Sequence, residues 1–204
     1  MEQEPINVLV LNASLKHAPE SSNTGEVVDM VLSQMQSLAP IKVVQVRLAD
    51  RNIPVGLGFR ESEDDEWPGI VEEIQKASVV IFATPIWWGS RSSLMQRVIE
   101  RMDAFDEEAV KGGRAALLNK VAGIVITGSE DGAQAVAAGL MEVLTFLNFT
   151  LPPQCCTYWV GEVGKDPKTD TERRRANEAV AHMAEKTAKG LVHYAQLLRE
   201  RPLS

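Results

Sequence analysis

Cysteine is scarce in this sequence. Two of its 204 residues are cysteine, and they are neighbours, Cys155 and Cys156. Adjacent cysteines rarely close a disulfide, because the required geometry is strained. Two thiols alone cannot complete a structural zinc site. A disulfide framework is excluded, and a reduced, intracellular protein is the expectation. Histidine is nearly as rare, with His17, His182 and His193 only. The last two lie 11 residues apart in one helical stretch, which supports no metal pair, and no metal is expected. Basic residues are outnumbered: 21 Lys and Arg against 28 Asp and Glu give a formal net charge of -7. A surface of that sign repels phosphate backbones, so nucleic acid is not an expected partner. No apolar run reaches the ~20 residues of a membrane span. The first residues, Met1-Glu2-Gln3-Glu4-Pro5, are acidic, unlike the start of a secretory signal. The expected location is the cytoplasm, with no membrane partner.

What is present is an ordinary globular composition, 45% hydrophobic and 24% charged. The length suits one core. There are no repeats and no linker, so residues 1–204 read as a single domain.

Apolar runs alternate with stretches of helical periodicity. Asn7 to Leu11, Val79 to Ala83 and Val121 to Thr127 read as buried strands. Ile41 to Leu48 alternates and reads as an exposed edge strand, and Gln154 to Val160 as a last strand. Helices are expected over Asn23 to Leu38, Trp67 to Ala77, Ser92 to Phe105 and Gly132 to Leu147, and from about Thr169 towards Arg199. Asn23 with Glu26, and Thr169 with Glu172, have capping-box spacing. Ser129 or Asp131 would cap the fourth helix, and Gly190 is a possible weak point in the last. Residues 49–66, with the acidic stretch Glu61-Ser62-Glu63-Asp64-Asp65-Glu66, form a long loop. Five strands separated by helices imply an α/β fold, a doubly wound five-stranded parallel sheet in a three-layer α/β/α sandwich. Right-handed crossovers leave few topologies, of which the order 2-1-3-4-5 fits, with the half-exposed second strand at the edge.

In such a sheet ligands sit beyond the carboxyl ends of the strands, at the switch point. Three loops then matter. The first, Asn12 to Gly25, is rich in hydroxyls and amides and ends at a helix N-terminus, where free N–H groups and the helix dipole attract an anion. Ser14, Ser22 and Thr24 can donate to phosphate oxygens, and Lys16 adds a point charge. It has neither the GxxxxGK[ST] nor the GxGxxG pattern, so a monophosphate fits better than a triphosphate. The same residue types also serve as turn and cap residues. The second loop is Thr84-Pro85-Ile86-Trp87-Trp88-Gly89-Ser90-Arg91-Ser92. A tryptophan pair offers a face for a flat ring, and Gly89 lets backbone approach closely. Core or subunit contact is the competing role for either tryptophan. The third loop, Thr127 to Gln134, has glycines that permit close approach to a ring, but taken alone it reads as a capped turn into the fourth helix. There is no GxSxG elbow and no hydrolase triad.

Together these loops resemble the NADPH-dependent FMN reductase branch of the flavodoxin-like flavoproteins. Asn12-x-Ser14-x-Lys16, Ser22-Asn23-Thr24-Gly25, Thr84-Pro85-Ile86-Trp87-Trp88-Gly89-Ser90 and Thr127-Gly128 carry the likeness, which is strongest over residues 7–148. The resemblance implies a flavodoxin-like fold with FMN as cofactor. Asn12, Ser14, Lys16, Ser22, Asn23 and Thr24 would surround its phosphate. Pro85, Ile86, Trp87, Trp88, Gly89, Thr127 and Gly128 would flank its ring. NADPH or NADH would reduce the flavin, and a quinone, flavin or similar acceptor would take the electrons, with no catalytic side chain. The family implies a homodimer or homotetramer. Related iron–sulfur flavoproteins carry cysteines after strand two, but residues 49–66 have none, which excludes such a cluster. The competing function is a one-electron carrier, for which the acidic stretch would dock a basic partner.

Overall fold

In the computed structural model, which describes residues 4–112, 115–129, 131–161 and 172–204, the parallel sheet is present. Its strands are β1 (Ile6–Asn12), β2 (Ile41–Arg47), β3 (Val79–Trp87), β5 (Val121–Gly128) and β6 (Cys156–Val160). A two-residue strand, β4 (Ser90–Arg91), pairs antiparallel with the end of β3. The hydrogen-bonded order is β2-β1-β3-β5-β6. The five parallel strands alone therefore give the expected 2-1-3-4-5 arrangement.

The helices are α1 (Asn23–Leu38), α2 (Trp67–Lys76), α3 (Ser93–Val110), α4 (Ala133–Phe146) and α5 (Glu178–Glu200). The central strands alternate side chains between two cores, as the pleat dictates. Leu9 and Leu11 of β1 face one side with α2, α3 and α4, while Val8 and Val10 face the other with α1 and α5. All four are buried, and each contributes about 1.5–3 kcal/mol by leaving water. Edge strand β2 stays half-exposed, as its alternation predicts. No helix among the described residues is long and apolar enough to cross a membrane.

Several boundaries differ from the sequence reading. Ser22, not Asn23, caps α1: its hydroxyl accepts from the Gly25 N–H at 3.0 Å. Asn23 is the first helical residue, and its side-chain oxygen accepts from Arg174 at 3.3 Å. Neither Ser129 nor Asp131 caps α4; that position belongs to Gly132, at φ 123°. Helix α3 runs on to Val110 past Phe105, its last turn being polar and outside the apolar stripe. Thr169 lies outside the described residues, and α5 begins after Asn177, whose side chain caps the Val180 N–H at 3.1 Å. Gly190 does not break α5. A Cβ there would meet Pro152 at 2.9 Å, so the glycine serves close packing.

The 49–66 loop folds around a buried ion pair. Arg101 of α3 and Asp65 meet at 2.7 Å with both side chains fully buried. Asp65 also accepts from the amides of Trp67 and Glu61, both at 2.9 Å. Arg101 donates further to the carbonyls of Gly58 at 2.9 Å and Pro54 at 3.1 Å, and lies over the Trp67 ring. Burial pushes the Asp65 carboxyl up, but its bonds from Arg101 and the two amides outweigh that and hold it below its ordinary value. The rest of the acidic stretch is largely engaged within the loop. Glu61 accepts from Gly58, Asp64 from Ser62 and Asn52, and Glu66 from Arg51 and Asn52.

Candidate functional site

The switch point lies between β1 and β3, because the chain runs outward from β1 to β2 and returns to place β3 on the other side. The three loops expected to matter meet there. Ala13 N–H donates to Ala83 O at 2.8 Å, and the Ser92 hydroxyl donates to Ala13 O at 2.9 Å, which ties the first loop to the second. Thr24 and Thr127 hydroxyls pair at 2.8 Å, which ties the first to the third. A Cβ on Gly132 would lie 3.0 Å from the Gly89 Cα, so the second and third touch backbone to backbone. A Cβ on Gly128 would likewise meet Ile86 at 2.9 Å, so only glycine fits beside that side chain.

Within the first loop, Asn12, Ser14, Ser22 and Thr24 are buried polar residues. The Asn12 side chain accepts from the Ser14 N–H at 3.0 Å, and the Ser14 hydroxyl accepts from the Lys16 N–H at 3.3 Å. These bonds turn the chain outward at the end of β1. Residues 15–21 are then all exposed. The Lys16 ammonium folds back onto Glu20 at 2.8 Å and Ser21 O at 3.3 Å. The N–H groups of Asn23 and Thr24 open α1 and have no intrahelical acceptor. The loop thus ends in unpaired donors at the positive end of a sixteen-residue helix. A cavity of about 300 Å³ adjoins it, with Asn12, Ser22, Gln45 and Arg47 in its wall.

The second loop is a tight hairpin. Ile86 pairs with Arg91 and Trp87 with Ser90, so Trp88 and Gly89 form the turn at φ 50° and 72°. Positive φ at both turn positions fits the twist of a two-residue hairpin. Ile86 is buried and Pro85 half-buried, whereas Trp87 and Trp88 are 48% and 90% exposed. Neither tryptophan is a core residue of this chain. In the third loop Thr127 is buried and Gly128 half-buried. Arg91 donates to the Gln96 side chain at 2.7 Å, and Arg60 to the carbonyls of Ser62 and Glu63, so both guanidinium groups have partners within the chain.

The sequence reading missed three residues. Ser92 both caps α3 and fastens the first loop; a serine before an apolar helix was its only signal. Arg47 donates to Glu20 O, and Asp50 binds His17 and Ala18. Neither had a local signal, since their partners lie 27 to 33 residues away.

Comparison with known proteins agrees with this fold. An 8-demethyl-8-aminoriboflavin-5'-phosphate synthase from Streptomyces davaonensis is 29% identical over 97% of this chain and 80% of its own. A Mycobacterium bovis protein named as the divalent metal cation transporter MntH is 33% identical over 79% of this chain, and the chain spans about 24% of that protein's length. Among solved structures, RosB with bound 8-demethyl-8-formylriboflavin-5'-phosphate superposes with a TM-score of 0.82 at 27% identity, covering 97% of this chain and 82% of that one. An apo NADH:FMN oxidoreductase shares the fold, with a TM-score of 0.68 at 17% identity over 97% and 92% of the two chains. The sequence profile of the NADPH-dependent FMN reductases matches residues 6–162, and the chain belongs to that family.

Proposed function

We propose that this crevice binds FMN and that the chain is an NAD(P)H-dependent oxidoreductase, passing electrons from NADPH or NADH to a quinone, flavin or similar acceptor. The observation that carries the reading is the convergence of a hydroxyl-lined loop, an exposed tryptophan hairpin and a glycine-opened turn at one switch point. The residues suit the cofactor. The Asn23 and Thr24 amides, with the Ser14 and Thr24 hydroxyls, would receive the phosphate. Lys16 would supply countercharge after leaving Glu20. Trp87 and Trp88 would border the ring, with Pro85, Ile86, Gly89, Thr127 and Gly128 near its edge and Asn12 and Ser22 shaping the loop. Bound FMN supplies the hydride and electron chemistry; the protein's part is to orient it and restrict water. The likeness to a protein whose name and bound intermediate are flavin phosphates supports the ligand class.

The carrier is the weaker reading, because Asp65 and Glu66 of the acidic stretch are paired with Arg101 and Arg51 inside the loop, leaving Glu61, Glu63 and Asp64 as its exposed carboxylates. A homodimer or homotetramer acting in the cytoplasm on small molecules completes the proposal. Its test is the visible spectrum of the purified protein after FMN addition, followed by anaerobic NADPH. Flavin uptake and rapid bleaching are expected, with weaker retention in Ser14→Ala and Thr24→Ala. Protein that takes up no FMN would refute the proposal; flavin that NADPH and NADH leave oxidised would refute its enzymatic half.

A further inference from the structure

We propose that Asp50 is the positioning residue that holds the β1–α1 loop in its anion-binding form, and so sets the preference of the site for a phosphorylated flavin over the unphosphorylated one. The proposal rests on the flavin reading above.

Residues 15–21 are seven consecutive exposed positions with no apolar anchor, Leu15 itself being 45% exposed. Inside the loop, the Glu20 N–H donates to His17 O at 2.9 Å, and Lys16 bonds to Glu20 and Ser21. An exposed ion pair of that kind contributes little. The loop's shape is therefore set from outside. The Asp50 carboxylate receives the Ala18 N–H at 3.3 and 3.2 Å on its two oxygens, and the His17 Nδ1 lies 2.9 Å from one of them. With Asp50 ionised, that ring nitrogen carries the proton. Arg47 donates to Glu20 O from the end of β2. Asp50 closes a short 3₁₀ turn, residues 48–50, whose Leu48 is fully buried, so the clamp stands on a fixed element. Desolvation opposes ionisation of Asp50, yet the bonds from His17 and Ala18 outweigh it and hold the carboxyl below its ordinary value.

The charge of Asp50 makes the role decidable. A carboxylate beside a phosphate site repels the phosphate. If Asp50 is only a neighbouring charge, removing it tightens FMN binding. If it is the clamp, removing it frees the loop and weakens FMN binding, while riboflavin, which has no phosphate, is unaffected.

The experiment is fluorescence titration of the full chain with FMN and with riboflavin, for the wild type, Asp50→Ala and Asp50→Asn. The wild type is expected to prefer FMN. Asp50→Ala should lower FMN affinity about tenfold, the factor for losing hydrogen bonds to one charged group, with riboflavin affinity unchanged. Asp50→Asn keeps one acceptor oxygen and should fall between. His17→Ala removes an exposed ring, leaves the fold intact and should give a smaller loss in the same direction, which keeps the test open if Asp50→Ala fails to fold. FMN affinity that rises or stays constant, or that falls in step with riboflavin affinity, overturns the clamp and leaves the flavin reading standing. A wild type that binds FMN and riboflavin equally well overturns the phosphate site itself, and the clamp with it.

Discussion

Removing Arg101 of α3 should be the single change most damaging to the 49–66 loop. Replacing Arg101 with Met strips Asp65 of its charged partner and leaves a buried carboxylate with two amide donors, Trp67 and Glu61. It also leaves the carbonyls of Gly58 and Pro54 without their guanidinium. Breaking one side of a buried pair costs about 3–5 kcal/mol. For a domain of this size each kcal/mol lowers the melting midpoint by about 2–4 °C. A drop of about 10 °C is therefore expected, read by circular dichroism during heating. The acid limb gives an independent check. In the wild type the Asp65 pKa lies below its ordinary 3.8. Its contribution is thus complete above 3.8 and is lost as pH falls through the lower folded-state value. Without Arg101 burial prevails, the folded-state pKa rises above the unfolded one, and the same residue favours the fold more as pH falls. The variant should therefore lose less stability than the wild type between neutral and acid pH. A melting midpoint within about 2 °C of wild type would show that the pair contributes no more than an exposed one, and a parallel acid limb would show that Asp65 does not sense Arg101.

Two further changes probe other parts of the fold. Lys120 Nζ is buried between the carbonyls of Gln75 and Ala77, each at 2.8 Å, and burial lowers its pKa from 10.5 to about 8. Between these values the unfolded chain holds the proton that the folded chain has released, so stability should rise with pH across this interval and flatten in Lys120→Met; denaturant midpoints at several pH values test this, and an unchanged slope in the variant refutes it. Gly132→Ala would force a side chain into positive φ and against Gly89, so a loss of about 1–3 kcal/mol is expected; a wild-type melting curve would refute it.

Much of the fold was legible because the signal for each element is local. The buried runs of β1, β3 and β5 and the apolar stripes of α1 and α4 need no distant information. Connection rules reduced the sheet to a few orders, and the half-exposed second strand fitted the edge of the one observed. Hairpin β3–β4 was not legible, because it depends on Trp88 taking a left-handed conformation that sequence patterns rarely assign to tryptophan. The acidic stretch was visible, but its role was not. Asp65 looks like solvated charge until Arg101, 36 residues away, is brought against it. The same holds for Asp50, which is an unremarkable loop carboxylate until the turn after β2 is seen beside Ala18. For the site, residue types and loop positions were readable, whereas the bonds that fix loop shape were not.

The buried hydroxyl pair of Thr24 and Thr127 joins positions 103 residues apart, at the start of α1 and near the end of β5. It works as a gauge: the gap between the start of α1 and the end of β5 is set when the chain folds, before any ligand arrives. A ligand bound as proposed would not have to draw these two elements together, so none of its affinity would be diverted to that. Selection there would then be by size and outline, made against a spacing fixed in advance.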